Sequence, residues 1–207
     1  MSSSSLVHVI DDDDAVRDSV AFLLRSARID VRTYESATAF LDEMSGNASG
    51  CIVTDVRMPG MSGVDLLRQL KARGSSMPVI VITGHGDIQL AVQAMKSGAA
   101  DFLEKPFDDE ALLASVRSAL GQAEKDAQSE SERTKLAGKV AALSKREREV
   151  LEGLIAGKPN KIIAFDLGIS PRTVEIYRAH VMTKMDAGSL SELVRMALLA
   201  GVGADKA

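Results

Sequence analysis

Aromatic residues are nearly missing from this chain, with five Phe, two Tyr and no Trp in 207 residues. Any core must therefore be aliphatic. Cysteine occurs once, at Cys51, which excludes an internal disulfide and fits a reducing compartment. With that one thiol and three histidines (His8, His85 and His180), no clustered zinc site is available. No apolar run reaches the roughly 18 residues of a membrane span. The start, Met1 followed by four serines, lacks the cationic and apolar regions of a secretory signal. The expected location is cytoplasmic, with no membrane partner. A large excess of one charge is also lacking, since 25 Lys and Arg face 29 Asp and Glu for a net of −4.

That small net charge is unevenly divided. Residues 1–120 carry 11 basic and 17 acidic side chains, net −6, whereas residues 143–207 carry 10 and 8, net +2. Only the tail is suited to a polyanion. The front alternates short apolar runs with helical spacings. The runs are Leu6–Ile10, Ile29–Tyr34, Cys51–Thr54, Val79–Thr83 and Phe102–Leu103, each short enough for a buried parallel strand. Between them Val16, Val20, Leu23 and Leu24 share a helical stripe, as do Val64, Leu67 and Leu70, then Ile88, Val92 and Met95, and later Leu112, Leu113, Val116 and Leu120. Gly74 and Gly98 mark helix stops. The expected fold is an α/β doubly wound, five-stranded parallel sheet over residues 1–122. Residues 123–142 read as a solvated linker, partly helical at best. Residues 143–207 read as a small all-α domain of four helices.

In an open α/β sheet, ligands bind beyond the carboxyl ends of the strands. Here the first strand runs into Asp11–Asp14, the third into Asp55 and the fourth into Thr83, and Lys105-Pro106 follows the fifth. Carboxylates about 4 Å apart repel by roughly 4 kcal/mol at an effective dielectric of 20. A hard divalent cation with oxygen ligands, Mg²⁺, would relieve that repulsion. Asp13 and Asp14 have a simpler role as caps of the helix that follows.

The segments VHVIDDDDAVR, CIVTDVRMPGMSGVDLL, VIVITGHGD and DFLEKPF together resemble the receiver domain of two-component response regulators, over about residues 5–122. The resemblance implies that Asp55 accepts a phosphoryl group from a phosphohistidine on a sensor kinase. It further implies that Asp12, Asp55 and the backbone carbonyl of Arg57 hold Mg²⁺, with Asp11 acting partly through water. Thr83 would hydrogen-bond the acyl phosphate and Lys105 pair with it, while Phe102 would reorient with Thr83 as the switch aromatic. The Lys105–Pro106 peptide bond is expected to be cis. His85, in the loop after Thr83, reads as an exposed loop residue that could modulate dephosphorylation. Aspartyl-phosphate phosphatases place a second aspartate two residues after the nucleophile. That position is Arg57 here, so a stored signal is expected rather than an enzyme.

The tail LSKREREVLEGLIAGKPNKIIAFDLGISPRTVEIYRAHVMTKM resembles the LuxR-type helix-turn-helix. Ser144 and Glu147 form a capping-box pattern. Gly168 is the turn residue, Ser170 the N-cap and Pro171 the first helical position. Val174, Tyr177, Val181 and Met185 make the packed stripe of that helix. Arg172, Glu175, Ile176, Ala179 and Thr183 share the outward stripe, which would enter the major groove of double-stranded DNA, with Thr173 beside it. Lys161, Arg178, His180 and Lys184 are candidate phosphate contacts. Receiver followed by reader implies a transcription activator that is switched on by phosphorylation and homodimerises through the surface from Val92 to Phe102. Within the family, the motifs are most similar to regulators of nitrogen-fixation and microaerobic genes, whose sensor kinase detects oxygen through haem. A constitutive DNA-binding protein with a vestigial receiver is the rival reading, and the full set Asp11, Asp12, Asp55, Thr83 and Lys105 argues against it.

Overall fold

The structure, a computed structural model, describes residues 6–44, 49–84 and 88–203. It divides into two compact units, Met1–Ala127 and Gln128–Ala207. The first alternates strand and helix: β1 (Leu6–Ile10), α1 (Asp14–Ser26), β2 (Asp30–Tyr34), α2 (Ala37–Glu43), β3 (Cys51–Asp55), α3 (Gly63–Ala72), β4 (Val79–Thr83), α4 (Ile88–Lys96), β5 (Asp101–Glu104) and the start of α5 (Asp109–Ala141). The strands pair in parallel in the order β2-β1-β3-β4-β5. Parallel strands need crossover connections, which the helices supply, and those helices cover both faces.

Alternation within each strand sorts its side chains between two cores. Val7, Val9, Val53, Ile80 and Ile82 pack with Leu24 of α1 and Leu112 and Val116 of α5. Ile10, Ile52, Val79 and Val81 face Phe40 of α2, Leu66 and Leu70 of α3 and Ala94 of α4. Each fully buried Leu, Ile or Phe contributes about 1.5–3 kcal/mol, so this two-sided burial fixes strand register. It also holds the carboxyl ends of β1, β3, β4 and β5 side by side. In register, Ile10 lies opposite Thr54, Asp55 opposite Ile82, and Thr83 opposite Glu104.

Two sequence expectations need correction. The buried face of α4 is made by Ala91 and Ala94, while Val92 and Met95 are 47% and 42% exposed. Small alanines let α4 lie close to the sheet, and the larger apolar residues stand outward. Residues 123–141, expected to be partly helical at best, belong to the continuous helix α5. Their Ala, Glu, Gln and Lys content favours helix without burial, and the side chains of Gln122 and Asp126 bond one turn apart at 2.9 Å. Helix α2, whose buried face is Ala37, Phe40 and Leu41, has no counterpart among the sequence stripes.

The second unit contains α6 (Lys145–Ile155), α7 (Asn160–Leu167), α8 (Pro171–Met185) and α9 (Leu190–Leu199). Its core gathers Val150, Leu151, Ile163, Val174, Val181, Met185, Leu193 and Ala197, with Val140 from the last turn of α5. The local signals appear as read. Ser144 and Glu147 form the reciprocal capping box of α6, Gly168 ends α7 in the left-handed conformation at φ 64°, and Ser170 caps α8 by accepting from the Thr173 N–H.

Candidate functional site

The carboxyl ends of three strands converge on one ammonium. Asp11 follows β1, Asp55 ends β3 and Lys105 follows β5. The Lys105 Nζ donates to Asp55 Oδ1 at 2.6 Å and to Asp11 Oδ2 at 3.0 Å. The Arg57 N–H donates to Asp55 Oδ2 at 2.6 Å. The Asp13 N–H holds the other oxygen of Asp11 at 2.9 Å, and Asp13 in turn caps α1. The Lys105–Pro106 bond is cis, and the Lys105 N–H bonds the Thr83 carbonyl at 2.8 Å. That bond ties the lysine to the end of β4.

Burial governs the electrostatics here. Asp55 is 7% exposed, and burial pushes its carboxyl above the ordinary range, outweighing the Lys105 ammonium and the Arg57 N–H that favour the anion. For Lys105, burial pulls downward, but the hydrogen bonds and charges of Asp55 and Asp11 outweigh it and hold the ammonium above its usual value. The pocket thus keeps two carboxylates against one cation.

Thr83 is buried at the end of β4, whereas Phe102 on the edge strand is 43% exposed. Asp12 is exposed beside Asp11. Among the described residues, no group of three His, Cys, Asp or Glu side chains is gathered tightly enough to hold a metal ion. The donors that are present, two buried carboxylates already converging on a cation, are the oxygen ligands a hard divalent ion takes. His85 lies outside the described residues.

Two contributors escaped the sequence reading. The N–H of Gly63 bonds the Val56 carbonyl at 3.1 Å, and a Cβ at Gly63 would overlap the Asp55 carbonyl oxygen. Only glycine lets α3 start so close to the acid. A guanidinium N–H of Arg17 donates to the Asp11 carbonyl at 2.6 Å while pairing with Asp14. The signal for Gly63 is a glycine following an N-cap serine, and for Arg17 a cation one turn into an acid-capped helix.

In the second unit α8 segregates as its wheel requires. Val174, Val181 and Met185 are fully buried and Tyr177 partly so, while Arg172, Glu175, Ile176, Ala179, His180 and Thr183 are exposed. Arg172 and Glu175 pair with each other at 2.8 Å. Thr173 is tied to the cap, its Oγ1 lying 2.8 Å from Ser170 Oγ, and Thr183 Oγ1 donates to the Ala179 carbonyl at 3.0 Å. Lys161 is exposed on α7 and Arg178 half-buried. Lys184 turns inward, its ammonium 2.7 Å from the buried Glu147 Oε2, and His180 Nδ1 stands 3.8 Å from the other Glu147 oxygen. Glu147 is thus both the α6 capping-box acid and a clamp on α8. The hydrogen bond from Lys184 and that from the Ser144 N–H lower its pKa to about 2. The sequence showed only the first of these roles.

Among the described residues, no helix is long and apolar enough to cross a membrane. Residues 7–117 match the response regulator receiver domain family, and residues 141–197 match the bacterial regulatory proteins of the luxR family. The chain is 63% identical to the transcriptional regulatory protein FixJ of Azorhizobium caulinodans, covering 98% of this chain and 96% of that one. It is 56% identical to FixJ of Bradyrhizobium diazoefficiens, covering 98% of each. Among solved structures, the response regulator StyR superposes with a TM-score of 0.83 at 41% identity, covering 93% of this chain and 98% of that one. Full-length FixJ from B. japonicum gives 0.60 at 56% identity, over 97% and 98% of the two chains. The protein therefore belongs to the two-component response regulators that join a receiver to a LuxR-type DNA-binding domain, and among them to the FixJ family of transcription regulators.

Proposed function

We propose that this regulator is a phosphorylation-switched transcription activator whose phosphoacceptor is Asp55. The observation that carries the reading is the single ammonium of Lys105 held by Asp55 and Asp11 at the carboxyl ends of three strands. A carboxylate is a weak nucleophile, so positioning and charge neutralisation supply most of the catalysis of phosphoryl transfer. Asp55 attacks the phosphorus of a phosphohistidine, the P–N bond breaks and the imidazole leaves. The new acyl phosphate adds three acceptor oxygens and about −2 of charge. Lys105 then pairs with it and the Thr83 hydroxyl donates to it. Phe102, half-exposed on the edge strand, is the aromatic that follows Thr83. Mg²⁺ would be held by the oxygen donors of Asp11, Asp12, Asp55 and the Arg57 carbonyl, and it would neutralise charge on the transferred group. Storage of this phosphoryl group as a signal, rather than turnover of a substrate, is the role that suits Arg57 in place of a second acid.

The half-exposed Val92, Met95 and Phe102 form the surface through which two phosphorylated receivers pair. Arg172, Thr173, Glu175, Ile176, Ala179 and Thr183 on α8 face the bases of double-stranded DNA, and Lys161, Arg178 and His180 face its phosphates, whereas Lys184, expected from the sequence as a fourth phosphate contact, is held by Glu147. By relation to the FixJ proteins, the targets are nitrogen-fixation and microaerobic genes. The partner is a FixL-like sensor histidine kinase that detects oxygen through haem, and the setting is the cytoplasm. Incubation of the intact chain with Mg²⁺ and a small phosphoryl donor, followed by intact mass measurement, tests the assignment. One phosphoryl group is expected per chain, absent in Asp55→Asn. Equal labelling of that variant overturns it.

A further inference from the structure

The end of the sheet opposite Asp55 carries a cluster of cations that the phosphoryl switch does not use. A cleft of about 680 Å³ opens there between the end of α1 and the first residues of β1 and β2. Arg25, Arg28 and Arg32 line it, and Leu6, Ile29 and Val31 are its apolar members. Asp30 is the sole carboxylate among the lining residues, so the cleft carries a net charge of +2 on a receiver that is otherwise strongly acidic. Among the described residues none of the three guanidiniums is held in an ion pair. The carbonyls of the last turn of α1 are already occupied, accepting from the N–H groups of Ala27, Arg28 and Ile29 at 2.9–3.1 Å. Among the described residues, no hydrogen bond ties any of the three guanidiniums to a protein acceptor.

A second observation concerns the backbone. Arg28 follows the C-cap of α1 with φ 62°, the left-handed position that helix ends normally give to glycine. An arginine there is strained where a glycine would not be. Strain kept at a surface position points to a use for the side chain. Guanidinium groups present fixed forks of donors that match phosphate oxygens two at a time. The cleft has the volume of a small-molecule site, and its apolar residues suit one face of a planar ring.

We propose that this cleft binds a nucleoside diphosphate, with Arg25, Arg28 and Arg32 on the phosphates and the base against Leu6, Ile29 and Val31. Along β1 the cleft lies ~13 Å from the acidic pocket, so its ligand touches neither Asp55 nor Lys105. Inorganic pyrophosphate shares the anionic chemistry and lacks the base.

Calorimetric titration of the intact protein, with EDTA and about 0.15 M salt to screen loose surface attraction, separates the possibilities. The probes are adenosine diphosphate, inorganic pyrophosphate, adenosine and a DNA duplex. Saturable binding of the diphosphate is expected, weaker binding of pyrophosphate and none of adenosine. Arg28→Gly is the decisive variant, because it removes a guanidinium while relieving the backbone. Its melting temperature should hold or rise while diphosphate affinity falls by about tenfold or more, the scale of one charge-assisted hydrogen bond. Asp55→Asn should bind as wild type does. Equal affinity in Arg28→Gly overturns the proposal, as does absence of saturable binding. Pyrophosphate binding as tightly as the diphosphate removes the role given to the apolar residues, and binding of the duplex alone makes the cleft a DNA contact; either result also overturns it.

Discussion

Lys105→Met isolates the charge balance of the phosphoacceptor pocket. Methionine keeps most of the apolar stem and deletes the ammonium. Because the Asp55 and Asp11 oxygens both lie within 3.0 Å of one nitrogen, they stand at most about 6 Å apart, a separation at which two unit charges repel by about 3 kcal/mol at an effective dielectric of 20. Loss of one partner from a buried ion pair costs on the same scale, about 3–5 kcal/mol. The variant should therefore lose about 3 kcal/mol of receiver stability at neutral pH. Hydrogen exchange of the β3 and β4 amides reads this in the intact chain, since those strands open only when the receiver core opens. Protection should fall about a hundredfold, while the amides of α6 and α8 keep theirs. The pH dependence has a definite sign. Without the ammonium, the folded carboxyl pair binds a proton more tightly than the unfolded chain does. The deficit is then full at neutral pH and shrinks as pH falls through the raised folded pKa. A variant within about 0.5 kcal/mol of wild type at neutral pH, or a deficit that grows on acidification, would refute the reasoning.

Other perturbations address separate parts of the account. Gly63→Ala should push α3 off the end of β3 and cost about 1–3 kcal/mol as other forced overpacking does, with slower phosphoryl incorporation; unchanged labelling would show that the close approach to Asp55 is not needed. Glu147 has its pKa lowered from 4.5 to about 2, so its contribution to the second unit is complete above pH 4.5 and lost as pH falls toward 2. Circular dichroism of Glu147→Gln across that window should show a lower melting temperature at neutral pH and a weaker acid dependence than wild type. Met95→Glu, on the exposed side of α4, should leave the melting temperature unchanged and abolish dimerisation of the phosphorylated protein, as read by light scattering. Persistence of the dimer would move the interface elsewhere.

Much of the fold was legible because two-sided burial writes a parallel strand as an unbroken apolar run, and Val79–Thr83 is such a run in both sequence and structure. The pocket was legible for a related reason. Asp11, Asp55, Thr83 and Lys105 each stand at or just past a strand end, so the parallel order alone brings them together. Helix α4 was misread because a hydrophobic stripe gives weight to Ile, Val and Met. The contact is made instead by Ala91 and Ala94, whose small size allows the close approach. The segment 123–141 lacks an apolar stripe over most of its length, and its helix rests on intrinsic propensity, which periodicity does not detect. The inward turn of Lys184 toward Glu147 depends on packing between α6 and α8. Spacing on one helix carries no sign of it.

The central claim is that a phosphoryl group on Asp55 changes both assembly and DNA affinity. The most direct test measures molecular mass and operator binding of the intact protein with Mg²⁺ alone and with Mg²⁺ plus beryllofluoride, beside Asp55→Ala. Driving a two-state equilibrium from 1:99 to 99:1 takes about 5.5 kcal/mol of differential stabilisation, so a complete switch is visible in both readouts. Wild type should pass from monomer to dimer and bind DNA more tightly, while Asp55→Ala does neither. Equal DNA binding by both proteins under every condition would contradict the account and leave the receiver without a switching role.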